Sequence, residues 1–254
     1  MADIIYPLYI VIDASASMNK EVNGKKRIEL AREIPLSLLR LYEEDNSLVS
    51  SVYVSVLTFN SVAKVIMELG EIPKLRKLPP HIQAESKTWF GKAFSELYEQ
   101  INADYKRLSG SNKFMKPSVL MVTDGGPNDD QGERHAAFRA LIPVNKQTNK
   151  PDKSAFALWP QIIMLGIDVA NEKVLQAYSF KNNHYFKASD ALAIDEQIRA
   201  IAKQVKDAVS STMAAPDIQT DEEEPWLKFL NGGMDDDDDD GGDSLSVDEF
   251  GNFF

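Results

Sequence analysis

The sequence contains no cysteine, which excludes a disulfide framework, a thiolate metal site and a cysteine nucleophile together. Histidine is nearly as scarce. His81, His135 and His184 are scattered, none is paired with a plausible nucleophile, and each reads as a surface or core residue. No stretch approaches the roughly 18 apolar residues that a membrane-spanning helix requires. The opening MADIIYPLYIVIDAS lacks a basic lead and a small-residue cleavage pattern, so it reads as a strand rather than a signal peptide. These absences leave a soluble cytoplasmic protein as the expectation. Its 254 residues, 43% of them hydrophobic, suffice for one good core or two small ones.

Excess positive charge is also missing. The net charge is −11, but it is unevenly placed. Residues 217–254 hold 14 of the 39 acidic side chains and one of the 28 basic ones, a net of −13. The preceding 216 residues hold 25 acidic and 27 basic side chains, a net of +2. A near-neutral body with a polyanionic tail argues against nucleic-acid binding by the tail, because carboxylates repel phosphate. The expected division is therefore a folded domain over 1–211 and an acidic tail over 212–254. The tail contains a short apolar island at Pro225–Leu230, with Trp226 as a candidate docking residue, and six consecutive aspartates at Asp235–Asp240. Such a segment buries too little apolar surface to offset its ordering entropy, and it is expected to be disordered when free.

Along the body, apolar runs of strand length alternate with stretches of helical period, and no internal repeat is evident. Strands are predicted at Tyr6–Asp13, Val52–Phe59, Ala63–Leu69, Pro117–Thr123, Gln161–Val169 and His184–Lys187. Helices are predicted at Lys26–Tyr42 (interrupted by Pro35), Thr88–Leu108, Asp129–Leu141, around Asn171–Phe180, and at Ala193–Val209. This alternation predicts an α/β fold: a doubly wound, mostly parallel sheet flanked by helices, with one antiparallel edge hairpin strand.

In open α/β sheets ligands bind at the carboxyl ends of the strands. Two predicted strands end there on acids, the first in Asp13-Ala14-Ser15-Ala16-Ser17 and a later one in Thr123-Asp124-Gly125. Ser86-Lys87-Thr88 stands at the start of a helix between them. Gathered at one edge, Asp13, Ser15, Ser17, Thr88 and Asp124 would offer three hydroxyls and two carboxylates, a hard oxygen set suited to Mg²⁺ or Mn²⁺. With neutral hydroxyls as inner ligands the ion would stay electrophilic, and a partner's carboxylate would be a favourable last ligand. Each segment also has a plainer reading: a helix-capping Asp/Ser turn, an N-cap threonine, and an Asp-Gly-Gly turn. Asn128, Asp129 and Asp130 either extend the site or cap the following helix. Trp89 and Phe90 read as packing residues.

The pattern resembles the von Willebrand factor A domain family. Asp13, Ser15 and Ser17 match the D-x-S-x-S of that family's metal-ion-dependent adhesion site, Thr88 its lone threonine and Asp124 the aspartate of its T-D-G segment. The resemblance covers about residues 6–210. It implies that Ser15, Ser17 and Thr88 ligate the ion directly or through water, while Asp13 and Asp124 act mostly through water and orient the hydroxyls. The phrases YPLYIVIDASASM and VTDGGPNDD are similar to the stand-alone tellurium-resistance-type members, which are associated with stress and phage-defence operons encoding protein kinases and phosphatases. Two departures stand out: Ala16 replaces a usual glycine, and Glu85-Ser86-Lys87 replaces a glycine-rich approach. Lys87 is expected to point away from the cation.

The expected function is a non-enzymatic, metal-dependent protein-interaction module, a scaffold or regulator whose partner, a kinase or phosphatase among the candidates, supplies an acidic residue. Two alternatives stand beside it. Asp13 ending a first strand also resembles the nucleophile of haloacid-dehalogenase-like phosphatases, although Ser15 occupies the place of their second aspartate. The tail, ending in Phe253-Phe254, resembles the partner-recruiting acidic tails of single-stranded-DNA-binding proteins, and it could also fold back on the domain's own cation.

Overall fold

The computed structural model describes residues 3–44, 51–145, 150–151, 156–168 and 185–188, together with Leu175 and Tyr178. Strand β1 (Asp3–Asp13) is buried continuously from Pro7 to Asp13, as its unbroken apolar run requires. A 3-10 turn (Ala16–Asn19) and a small hairpin of β2 (Glu21–Val22) and β3 (Lys25–Lys26) lead into helix α1 (Arg27–Glu44). Then come β4 (Val52–Phe59), β5 (Ala63–Glu71), a second 3-10 turn (Ile72–Lys77), helix α2 (Phe90–Leu108), β6 (Asn112–Phe114) and β7 (Ser118–Thr123). Helix α3 (Gln131–Leu141), the short antiparallel pair β8 (Val144–Asn145) and β9 (Lys150–Pro151), β10 (Gln161–Ile167) and β11 (Tyr185–Ala188) complete the described elements.

The main sheet has the order β11-β10-β7-β1-β4-β5, with β6 beside the start of β1. Every pairing in it is parallel except β4 with β5, the antiparallel edge hairpin expected from the sequence. From β1 the chain steps to β4 on one side and returns to β7 on the other. The strand order therefore reverses between β1 and β7, which opens a crevice at their carboxyl ends.

Alternation along β1 divides the core into two layers. Leu8, Ile10 and Ile12 face α1, meeting Leu30, Ala31, Ile34 and Leu38. Tyr9 and Val11 face the other way, toward Phe90, Phe94 and Leu97 of α2 and Leu141 at the end of α3. The sequence predicts an interruption and a kink at Pro35; the interruption is not seen, since α1 runs its full 18 residues through it. A proline removes one backbone hydrogen bond and crowds the preceding turn. The buried apolar face on both sides of Pro35 holds the helix on the sheet all the same.

Helix α2 begins two residues later than predicted, so Thr88 precedes it and Trp89 is its N-cap, without a side-chain cap bond. Phe90 anchors this start. It is fully buried and packs edge-to-face on Phe59 at 5.7 Å, Phe94 at 6.0 Å and Tyr178 at 5.6 Å. The packing role expected for Phe90 is thus observed, and Trp89 is partly buried. Of the helix predicted around Asn171–Phe180 only Leu175, helical and buried, and Tyr178 are described. The helix predicted at Ala193–Val209 and the acidic tail with Trp226 lie outside the described residues. Truncating Phe90 to alanine removes the keystone of the aromatic cluster and is expected to cost about 3–5 kcal/mol of stability, read from the urea midpoint at unchanged m-value.

Candidate functional site

Asp13 ends β1 with no solvent exposure. A buried carboxylate needs donors, and two neighbours supply them: the Ser15 backbone N–H at 2.8 Å to Oδ1 and the Thr123 hydroxyl at 2.6 Å to Oδ2. Burial pushes the Asp13 carboxyl up to about 6; the hydrogen bonds from Thr123 and Ser15 oppose that rise and the charge of Asp124 adds to it. Ser15 is also buried, and its hydroxyl lies 3.1 Å from that of Ser17. Ser17 in turn donates to Asp124 Oδ1 at 2.8 Å. Asp13, Ser15, Ser17 and Asp124 therefore form one hydrogen-bonded set in the crevice between β1 and β7.

The loop that carries Thr88 is tied through its backbone to the turn after β1. Glu85 N–H donates to Ala14 O at 2.8 Å and Ala16 N–H to Ser86 O at 3.0 Å, so the loop before α2 is laced to the loop after β1. Ser86 holds a positive φ of 68° and its hydroxyl is 2.7 Å from that of Ser61, a strained conformation of the kind that packing must maintain. Lys87 is exposed, as expected, while Thr88 is buried. Asn128 holds the Thr88 backbone, accepting from its N–H at Oδ1 over 3.2 Å and donating its own N–H to the Thr88 C=O over 2.7 Å.

The three residues after Asp124-Gly125-Gly126-Pro127 divide their work. Asp130 caps α3 by accepting from Glu133 N–H at 3.0 Å. Asn128 braces Thr88 as described. Asp129 accepts from Gly91 N–H at 2.6 Å and pairs with Arg134 at 2.9 Å, joining the starts of α2 and α3. Gly91 permits that approach, since a Cβ there would stand 3.1 Å from the Asp129 carboxylate and 3.2 Å from the Arg134 backbone. Of the histidines, His81 is exposed and His135 lies beside Tyr178, while His184 is outside the described residues.

Two residues of this edge escaped the sequence reading. Arg27, the first residue of α1, donates from Nη1 to Asp124 Oδ2 at 2.5 Å and pairs through Nη2 with Asp168 Oδ2. Burial works against its charge, but the hydrogen bonds and charges of Asp168 and Asp124 prevail and raise its pKa. Asp168 follows β10 with a positive φ of 50°. Its signal was visible: QIIMLGID ends an apolar strand on an acid just as YPLYIVID does. Arg27 is placed by the Asn23-Gly24 hairpin turn, whose left-handed φ values of 51° and 78° make that dipeptide a strong hairpin signal.

A doubly wound, mostly parallel sheet with serine, threonine and aspartate oxygens gathered at the carboxyl ends of β1 and β7 defines an α/β domain class. The chain belongs to the von Willebrand factor type A domain family, whose model matches residues 8–200. Solved structures share the fold. They include the pilus adhesin SpaC from Lactobacillus rhamnosus GG, at 16% identity and a TM-score of 0.58 over 80% of this chain and 30% of the adhesin. A von Willebrand factor type A protein from Catenulispora acidiphila matches at 13% identity, TM-score 0.59, over 80% and 43% of the two chains. The PilB minor pilin from Streptococcus sanguinis matches at 13% identity, TM-score 0.53, over 80% and 62%. This chain thus spans less than two thirds of the length of each. No match was found among curated proteins.

The Asp13–Thr123 bond is central to this edge, and Thr123→Val tests it. The substitution keeps the shape but leaves a buried carboxylate oxygen without its donor. It is expected to lower stability by about 2 kcal/mol in urea unfolding, against less than half that for Lys64→Ala at an exposed position of β5.

Proposed function

We propose that this chain is a metal-ion-dependent protein-interaction module, in which Asp13, Ser15, Ser17, Thr88 and Asp124 hold a Mg²⁺ or Mn²⁺ ion and a partner's carboxylate completes its shell. The observation that carries the reading is the hydrogen-bonded set of Asp13, Ser15, Ser17 and Asp124 at the carboxyl ends of β1 and β7, with buried Thr88 on the loop that is laced to the β1 turn. The donor chemistry agrees. The candidate ligands are serine and threonine hydroxyls flanked by the Asp13 and Asp124 carboxylates. That is a set for a hard, oxygen-seeking ion that keeps part of its water.

In this reading the ion supplies an electrophilic centre for an incoming carboxylate. The protein's own groups do the rest. Ser15, Ser17 and Thr88 present neutral oxygens, Asp13 fixes the turn that carries Ser15, and Asp124 orients the Ser17 hydroxyl. Nothing in that division of labour calls for catalysis, and Ser15 stands where a haloacid-dehalogenase-like phosphatase requires a second aspartate. The interaction role is supported by the family to which the chain belongs and by the adhesin and pilin among its structural relatives. By its likeness to the tellurium-resistance-type proteins, the partner is a component of a cytoplasmic stress or phage-defence system, such as a protein kinase or phosphatase. No helix among the described residues is long and apolar enough to cross a membrane.

A Mn²⁺ titration followed by electron paramagnetic resonance tests the site. One Mn²⁺ per chain, displaced by Mg²⁺, is expected, with affinity falling ~10–100-fold in Asp13→Ala, the range for losing a group that orients metal ligands. Equal binding by the two proteins would move the ion to the polyaspartate tail and end the proposal.

A further inference from the structure

Metal binding, as proposed above, leaves unused two charged groups at this edge, Arg27 and the Asp168 paired with it. The place of Arg27 is dictated locally. The Asn23-Gly24 turn folds β2 onto β3, and Arg27 N–H donates to Lys20 O at 3.0 Å, immediately after the 3-10 turn that contains Ser17. The side chain is only 10% exposed, and that of Asp124 1%. One arm of the guanidinium holds Asp124 Oδ2, the other holds Asp168, and Nε has no hydrogen-bond partner among the described residues. Asp124 therefore keeps a single free oxygen, Oδ1, and that oxygen already accepts from Ser17. A fixed positive charge stands buried one carboxylate away from the candidate ligands.

A buried cation next to a cation site has a definite electrostatic consequence. It repels a divalent ion at short range, where screening by water is weak, and it removes one of the two carboxylates from contention as a full anionic ligand. Ions differ in how they respond. Ca²⁺ takes six to eight oxygens and favours bidentate carboxylates, whereas Mg²⁺ accepts few protein ligands and retains water. We propose that Arg27 is a positioning residue that detunes this site. By clamping Asp124 it excludes Ca²⁺, and it leaves the ion short of negative charge until a partner's carboxylate arrives. Asp168, half-exposed at 54% of its side chain, moderates the effect by neutralising part of the guanidinium. The inference rests on the metal-site reading of the preceding subsection.

The sign of the effect separates this role from a merely structural one, because losing a structural ion pair weakens binding. Mn²⁺ titrations of the full chain, with Ca²⁺ as competitor, would compare wild type with Arg27→Gln, Arg27→Lys and Asp168→Asn. Arg27→Gln is expected to bind Mn²⁺ about tenfold more tightly, as removal of a like charge nearby requires, and to let Ca²⁺ displace it. Arg27→Lys keeps the charge and should behave as wild type toward Mn²⁺. Asp168→Asn should weaken Mn²⁺ binding severalfold, opposite to Arg27→Gln. A folded Arg27→Gln protein with unchanged or weaker Mn²⁺ affinity overturns the proposal. Should Arg27→Gln fail to fold, Asp168→Asn decides, and unchanged or tighter binding there overturns it. Wild-type binding that is lost in Asp13→Ala but indifferent to Arg27 and Asp168 sinks this inference alone. Wild-type protein that binds no Mn²⁺ sinks the metal-site reading and this inference with it.

Discussion

A carboxylate buried at the end of a strand must be satisfied locally, and the organisation of this edge depends on how Asp13 is satisfied. Its two oxygens take one backbone N–H from its own turn and one hydroxyl from the neighbouring strand, Thr123. The first bond shapes the turn so that the Ser15 and Ser17 hydroxyls fall on one side. The second fixes β7 against β1 at the point where the sheet's order reverses, and so brings Asp124 within 2.8 Å of Ser17. Burial raises the Asp13 carboxyl to about 6, and the two hydrogen bonds are what keep it ionised near neutrality. An interaction of two atoms thus sets the geometry of a crevice built from three distant segments.

The approach of Thr88 is a separate achievement of packing. Aromatic contacts at Phe90 seat the first turn of α2, and backbone bonds from residues 85 and 16 tie the preceding loop to the β1 turn. Between these anchors Ser86 is held at positive φ. Asn128 takes both backbone groups of Thr88 and so fixes where the threonine stands.

Much of this was legible in the sequence because buried parallel strands write long apolar runs and end where the ligand edge begins. YPLYIVID and PSVLMVTD marked both the central strands and their terminal acids. The edge hairpin was legible in VYVSVLTF and the run after it. What the periodicity obscured was local. Pro35 argues for an interruption that sheet packing overrides, and Thr88 looks like an N-cap although α2 starts after it. Arg27 carries no pattern of its own. Its role depends on a salt bridge spanning 97 positions to Asp124 and 141 to Asp168, a relation that a single sequence does not display. The Asn23-Gly24 turn that aims it was visible, but not what it aims at. Asp129 and Asn128, read together as capping candidates, separate in the structure because only Asp130 stands at the cap.

The central claim is that an ion sits among hydroxyls rather than among the carboxylates of the tail. Crystals of the full chain grown with Mn²⁺, measured for anomalous scattering at the manganese edge, test it most directly. One strong anomalous peak is expected within ligand distance of the Ser15, Ser17 and Thr88 hydroxyl oxygens, with Arg27 still clamped on Asp124. A peak elsewhere, or an ion ligated by Arg27-free Asp124 in place of the hydroxyls, would contradict it.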